Sequence, residues 1–438
     1  MLLNAADKAL WRLALPMIFS NITVPLLGLV DTAVIGHLDS PVYLGGVAVG
    51  ATATSFLFML LLFLRMSTTG LTAQAWGAKD PQRLARALVQ PLALALGARV
   101  LIILLRLPLI DLALHIVGGS EAVLEQARRF LEIRWLSAPA SLANLVLLGW
   151  LLGVQYARAP VILLVVGNLL NIVLDLWLVM GLRMNVQGAA LATVTAEYAT
   201  LIIGLLMAKR VLTLRGVSLA MLKNAWRGDL RRLLALNRDI MLRSLLLQLC
   251  FGALTVFGAR LGSDIVAVNA VLMTMLTFTA YALDGFAYAV EAHSGQAYGA
   301  RDGSQLLEVW RAACRQSGMV ALAFALIYSL AGQYIIALLT SLPSLQQLAD
   351  RYLIWQTILP VVGVWCYLLD GMFIGATRGA EMRNSMAVAA AGFAVTLLTL
   401  PVLGNHGLWL ALAVFLALRG LSLALIWRRH WRRGTWFS

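Results

Sequence analysis

Four carboxylates fall where carboxylates are costly to keep. Asp31 lies in Leu29-Val30-Asp31-Thr32-Ala33-Val34, Asp175 in Asn171-Ile172-Val173-Leu174-Asp175-Leu176-Trp177, and Asp284 and Asp370 interrupt later apolar stretches. A charged Asp at the centre of a membrane-spanning helix costs about 2.5–3.5 kcal/mol. Such a group either pairs with a neighbouring helix or faces a wet cavity and exchanges a proton or cation there. Counted at 1.5 Å per residue, Asp31 is about 30 Å and Asp175 about 22 Å along its helix, and bending at Pro16 and Pro25 shortens the first figure. Asn171 lies one turn before Asp175 on the same face. A carboxylate with a carboxamide one turn away suits proton binding and release, and Asp31, Asn171 and Asp175 equally offer hard oxygens to Na⁺. Arg99 and Arg243 also fall near mid-span. Either neutralises an acid or attracts an anionic substrate, with an interhelical ion pair as the plainer alternative. Pro16, Pro25 and Pro139 each remove a backbone hydrogen bond and mark bends. Pro25 precedes Asp31 by six residues, which makes a proton-dependent bend of the first helix a reasonable expectation.

Other chemistries lack their residues. None of the four lysines follows a G-x-x-x-x-G pattern, no H-E-x-x-H or G-x-S-x-G occurs, and the three cysteines are scattered singly. No enzyme, no resident metal and no cofactor is expected. Cys250, Cys314 and Cys366 read as packing residues.

The elements that must hold these acids are long apolar helices. The chain is 61% hydrophobic and only 12% charged, with a mean hydropathy of +0.85. Twelve stretches are long enough to cross a hydrocarbon core of about 30 Å. They start near residues 10, 43, 87, 122, 160 and 186, and again near 231, 265, 309, 347, 384 and 406. The two sets are copies. Ala73-Gln74-Ala75-Trp76-Gly77-Ala78-Lys79-Asp80 is matched 222 residues later by Gly295-Gln296-Ala297-Tyr298-Gly299-Ala300-Arg301-Asp302. At the same offset Phe130-Leu131 answers to Tyr352-Leu353, Gly149 to Gly371 and Gly153 to Gly375. Six spans per copy return the chain to its starting side, so the halves should be parallel repeats. The expected organisation is a six-helix lobe over 1–210, a cytoplasmic linker over 211–229 and a second lobe over 230–438. The acids do not follow the duplication: Asp31 falls opposite Gly252, and Asp370 and Asp284 fall opposite Leu148 and Leu62. They are therefore not required to build the scaffold.

The formal charge of +14 is distributed as topology and not as a nucleic-acid footprint. Lys and Arg collect in every second connection, which puts both termini in the cytoplasm. Arg128 and Arg129 run against the pattern, while Arg65 and Arg419 can snorkel to the inner face. The first apolar segment is too long for a cleavable leader.

Taken together, Leu13-Ala14-Leu15-Pro16, Leu29 through Gly36, Asn171 through Asp175 and Gly188-Ala189-Ala190 resemble the multidrug and toxic compound extrusion (MATE) family, in its DinF branch. The likeness runs nearly the whole chain. It implies an all-α, twelve-helix, V-shaped membrane protein that exports organic cations and amphipaths by antiport with H⁺, or with Na⁺. It further implies a monomer whose partners are small organic solutes, the coupling ion and the lipid bilayer. In that branch the residues matching Asp31, Asp175 and Asn171 form a cation-responsive cavity in the first lobe. Asp370 matches the second-lobe acid of NorM-like members, and the family's usual Tyr of the fourth span is Phe130 here. A flippase for a lipid-linked precursor, built on the related two-lobe plan, is the alternative. It would favour a strongly cationic cavity, for which Arg99 and Arg243 are the residues to watch.

Overall fold

The computed structural model describes residues 4–36, 41–228 and 230–438, with only the backbone given for 23–33, 36 and 41. Asp31 and Pro25 are among those positions, so their side chains lie outside the described residues. Helices account for every regular element among the described residues. Eleven helical stretches there are long and apolar enough to cross a membrane. A twelfth long helix, α1 (Ala5–Gly36), runs 32 residues through Pro16 and Pro25.

The chain forms two compact units. One comprises residues 19–233; the other comprises 1–18 with 234–438. Each unit thus includes the start of the other half's first long helix, a grouping the 1–210 and 230–438 division does not anticipate. In the first unit α2 (Pro41–Leu61) and α3 (Phe63–Gly77) follow one another, then α4 (Pro81–Leu104), α5 (Arg106–Val117), α6 (Glu121–Arg134), α7 (Ala138–Gly153), α8 (Arg158–Asp175) and α9 (Asn185–Leu214). The segment read as a linker, 211–229, carries a short helix, α10 (Leu219–Asn224). Leu212, Val217 and Ala225 join the core of the first unit, so this segment is packed and not a free tether. The second unit holds α11 (Leu230–Leu261) from residue 234 onward, α12 (Ser263–Ala300), α13 (Gly303–Leu339), α14 (Pro343–Gly375), α15 (Gly379–Thr396), α16 (Leu400–Leu403) and α17 (Asn405–Arg433).

The repeated octapeptide is a helix–turn–helix hinge. Lys79 and Arg301 both take left-handed φ of 53°. Their N–H groups bond Trp76 and Tyr298, and the next N–H groups, of Asp80 and Asp302, bond Ala75 and Ala297. Asp80 then caps α4 by accepting from the N–H groups of Gln82 and Arg83, and Asp302 caps α13 by accepting from Gln305. One short motif closes a helix, turns the chain and opens the next.

Within a bilayer lipid is as apolar as Leu, so close packing and polar clamps choose which helices touch. The duplicated glycines do this. A Cβ on Gly149 would meet the Arg65 carbonyl oxygen at 2.5 Å, and one on Gly371 would meet the Ala287 carbonyl at 2.7 Å. Gly153 and Gly375 lie as tightly against Thr72 and Ser294. The pairs therefore seat α7 on α3 and α14 on α12 at equivalent places. Pro139, expected inside a span, stands at the start of α7, where a 3₁₀ turn (Trp135–Ser137) separates it from α6. The bend there has its backbone cause. Trp150 and Trp409 fill the two cores, and their indoles donate to the Leu84 carbonyl (3.1 Å) and to Asn269 (3.0 Å).

The charges that ran against the topology pattern are neutralised. Arg128 pairs with Asp111, and Arg129 with Glu125 at 2.9 Å. At the start of α1, Asp7 accepts from Arg315 at 3.0 Å and Trp11 donates to Gln316 at 3.0 Å, tying residues 1–18 to α13. Burial works against ionisation of Asp7, but hydrogen bonds from Arg315, Asn4 and Gln316 outweigh it and hold the carboxyl below its ordinary value.

Gly371→Val should lower the melting temperature in detergent by the equivalent of about 1–3 kcal/mol or more, because backbone and not a flexible side chain stands in the way. Gly252→Ala, with nothing within 4 Å of the added carbon, should leave it unchanged. The Asp7 contribution is fully present above the unfolded carboxyl pKa of about 3.9 and is lost as pH falls through the lower folded value. Asp7→Asn should therefore narrow the stability difference between neutral and strongly acid pH, as read by thermal melts across pH.

Candidate functional site

Helix α8 ends on Asp175, which is 1% exposed, and the chain then widens into a π-helical turn over Leu176–Gly181. Widened turns of this kind re-aim side chains and cluster at functional sites. One turn earlier, Asn171 is buried, and its Nδ2 donates to Thr193 Oγ1 on α9 at 3.2 Å. The Asn171 Oδ1 has no hydrogen-bond donor among the described residues. Asn171 itself is part of the wall of a cavity of about 320 Å³ contained within the first unit. Such a volume sits at the lower end of the about 300–1,000 Å³ typical of small-molecule sites. Leu145, Leu148, Leu163 and Leu164 make its apolar walls, and Asn144, Asn168, Asn171 and Thr193 bring polar atoms to them.

The same cavity holds an ion pair that the sequence reading passed over. Arg134 grips Glu197 with two bonds, at 2.9 and 3.3 Å, and Ser141 donates to the same carboxylate. Arg134 also donates to Ser137 and lies 5.1 Å from the centre of the Phe58 ring. Asn144 donates to the Glu197 carbonyl at 3.1 Å. Glu197 retains 23% side-chain exposure against 11% for Arg134, so the acid is the more accessible partner. The clue was available: Glu197 interrupts the apolar run of α9 as Asp31 interrupts that of α1.

Asp284, Asp370, Arg99 and Arg243 are not among the residues that line this cavity. In the second unit, Asp370 on α14 is clamped by Arg243 on α11 at 2.6 Å and by Arg419 on α17. All three are at least nine-tenths buried. This corrects one expectation: Arg419 does not snorkel but is buried against Asp370, which is held between two guanidinium groups. Arg243 takes the ion-pair alternative. Arg65 likewise is buried, at 2% exposure, and bonds Thr69 at 3.3 Å. Asp284 on α12 acts electrostatically on Tyr281, Cys366 and Tyr367, which places it near the Asp370 cluster. Arg99, on α4, is half-buried and has no ion pair among the described residues. Phe130 is buried, and Gly50 packs so closely on its ring that a Cβ there would come within 2.5 Å. Its role is packing. No group of three metal-ligating side chains occurs among the described residues.

Two bundles of long apolar helices related by an internal repeat, with an apolar cavity in the first that a few polar groups reach, describe a solute transporter. The MatE family model matches residues 16–177 and 240–403, one match per half. The chain belongs to this family, the MATE multidrug and toxic compound efflux transporters, and is a multi-pass membrane protein and not an enzyme. It is 87% identical over 436 residues to DNA damage-inducible protein F of Escherichia coli K12, covering 100% of this chain and 95% of that one. It is 23% identical to the probable multidrug resistance protein NorM of Acinetobacter baylyi, covering 96% and 94% of the two chains. Among solved structures, the outward-facing conformation of a multidrug resistance MATE transporter of the MOP superfamily superposes with a TM-score of 0.86. That match has 23% identity and covers 98% of this chain and 96% of that one.

Removing one partner of a buried ion pair strands the other charge and costs about 3–5 kcal/mol. Asp370→Asn should therefore lower the melting temperature of the detergent-solubilised protein sharply, with no gradient present. An unchanged melt with lost transport would instead make Asp370 a transport residue.

Proposed function

We propose that the chain exports organic cations and amphipathic compounds in exchange for H⁺, with the first-unit cavity as the site where the two compete. The observation that carries this reading is the largely apolar cavity of about 320 Å³ with Asn171 among its few polar residues, one helical turn from the buried Asp175. Apolar walls tolerate varied solutes, and a few fixed polar groups orient them. An ionised carboxylate near such a cavity attracts a cationic solute. Protonation removes that attraction together with a buried charge, so proton entry weakens solute binding and solute binding favours proton release. Asp31 and Asp175 are the proposed proton-exchanging acids, with Asn171 positioning Asp175. The same oxygens would serve Na⁺, and the choice of ion is a matter for transport assays.

The flippase alternative asks for a surplus of positive charge in the cavity. The charge there is one Arg matched by one Glu, and Arg243, one of the two residues that reading depends on, is already bound to Asp370. The family membership and the balanced cavity both favour drug export. The expected setting is a bacterial inner membrane, with both termini cytoplasmic and a monomer sufficient for transport.

In proteoliposomes with an imposed pH gradient, Asp31→Asn and Asp175→Asn should each reduce export of a cationic dye by at least about 10²-fold, the scale of losing a group that acts in coupling. A Na⁺ gradient at uniform pH should drive no export from the parent. Normal pH-driven export by both variants would end the coupling proposal, and export driven by Na⁺ alone would reassign the ion.

A further inference from the structure

Each unit has a small pocket at one end, and the internal repeat makes the two pockets equivalent. In the first unit Leu71, Arg83, Arg86, Ala87 and Arg232 line it. At the 222-residue offset these become His293, Gln305, Glu308, Val309 and Leu10, and all five line a pocket in the second unit. The scaffold thus builds a hollow at the equivalent place twice, of about 80 Å³ in the first unit and about 230 Å³ in the second. In one copy it is lined by three arginines, and in the other by Gln305, Glu308 and His293 without any arginine. The fold does not require those guanidinium groups, so they call for another explanation.

Arg83 and Arg86 sit one turn apart on the first turns of α4, on one face. Arg232 reaches the same hollow from the start of α11. Arg83 stands close enough to Arg232 and Arg86 to be repelled by both, and Asp80, the cap of α4, attracts it. No acid lines the pocket among the described residues. Arg86 donates through Nε to the Arg227 carbonyl at 3.2 Å, and Arg232 donates to Gln74 at 3.3 Å, so two of the three are held in place by neutral acceptors. Arg83 has no protein acceptor among the described residues. Three converging cations, two of them anchored, with no carboxylate among the described residues of the pocket wall, form a receptor for an oxyanion. The hollow is about 80 Å³, well short of the about 300 Å³ at which organic-solute pockets begin. Its place at the head of a membrane span is the level of lipid phosphates.

We propose that the Arg83–Arg86–Arg232 pocket binds a phosphate group, that of an anionic phospholipid headgroup at the membrane surface. Free phosphate shares the chemistry, and the experiment separates the two. The full-length chain, delipidated in a neutral detergent, is titrated with phosphatidylglycerol, phosphatidylcholine or inorganic phosphate. Bound lipid is read by native mass spectrometry and stability by thermal melting. The variant Arg83→Gln with Arg86→Glu installs the residues that the second copy of the pocket already accommodates. The parent should retain phosphatidylglycerol in preference to phosphatidylcholine and melt higher with it. With about fivefold in affinity for each guanidinium near a membrane surface, the double variant should lose at least about 25-fold. Should inorganic phosphate alone raise the melt and displace phosphatidylglycerol, the site stands and its ligand is soluble phosphate. Retention of phosphatidylglycerol by the double variant at parental affinity would overturn the proposal. If the double variant does not fold, Arg232→Gln answers the same question with an expected loss of about fivefold, and no loss there is equally fatal.

Discussion

The cost of keeping an ionised group away from water organises this molecule. Lipid on the outside and packed helices within leave such a group two ways to persist: a partner of opposite charge, or a wet cavity. Both occur, in different places. The second unit spends Asp370 on two arginines, a cluster joining α11, α14 and α17. The first unit keeps Arg134 and Glu197 paired but lets the pair open on a cavity, with the acid the more exposed member. A charge locked on both sides stabilises a bundle, whereas a charge that reaches a cavity can respond to what enters it.

Duplication makes this division visible. The turn built on Asp80 and Asp302, the left-handed Lys79 and Arg301, and the glycine crossings at Gly149 and Gly371 recur in both copies with the same contacts. Those features depend on backbone geometry, which each copy had to preserve in order to fold. Charged side chains carry no such obligation. The three arginines of the first-unit pocket face no arginine in its twin, and Asp370 and Asp284 stand where the first half has leucines. A repeat of this kind is an internal control: what recurs belongs to the scaffold, and what differs is open to functional use.

The sequence made the scaffold legible because its signals are local. Apolar runs mark spans, and the repeated octapeptide and paired glycines mark the duplication. Partnerships across the bundle were not legible. Asp370 meets Arg243 from 127 positions away and Arg419 from 49, and nothing in either neighbourhood announces the other. For the same reason Arg65 and Arg419, close enough to span ends to suggest snorkelling, turned inward once polar partners were within reach. Glu197 is a different kind of omission. Its mid-span position was as visible as that of Asp31, but without a family motif around it the residue drew no attention.

Asn171 and Asp175 show how a small irregularity supports chemistry. In a regular helix, residues four apart share one face and one environment. Here the wider turn beginning at Leu176 ends the regular ladder at Asp175, with Leu182 bonding back five residues to Trp177. Asn171 stays on the regular side, tied to Thr193 and facing the cavity, while Asp175 stands at the junction, almost fully enclosed. A carboxylate at such a junction sits in a low-dielectric wall one turn from a polar chamber. There the difference between its charged and neutral forms is large, yet the path to the cavity is a single helical turn. In the proposed exchange, that proximity would carry a change of protonation to a solute in the chamber without the acid itself lining it.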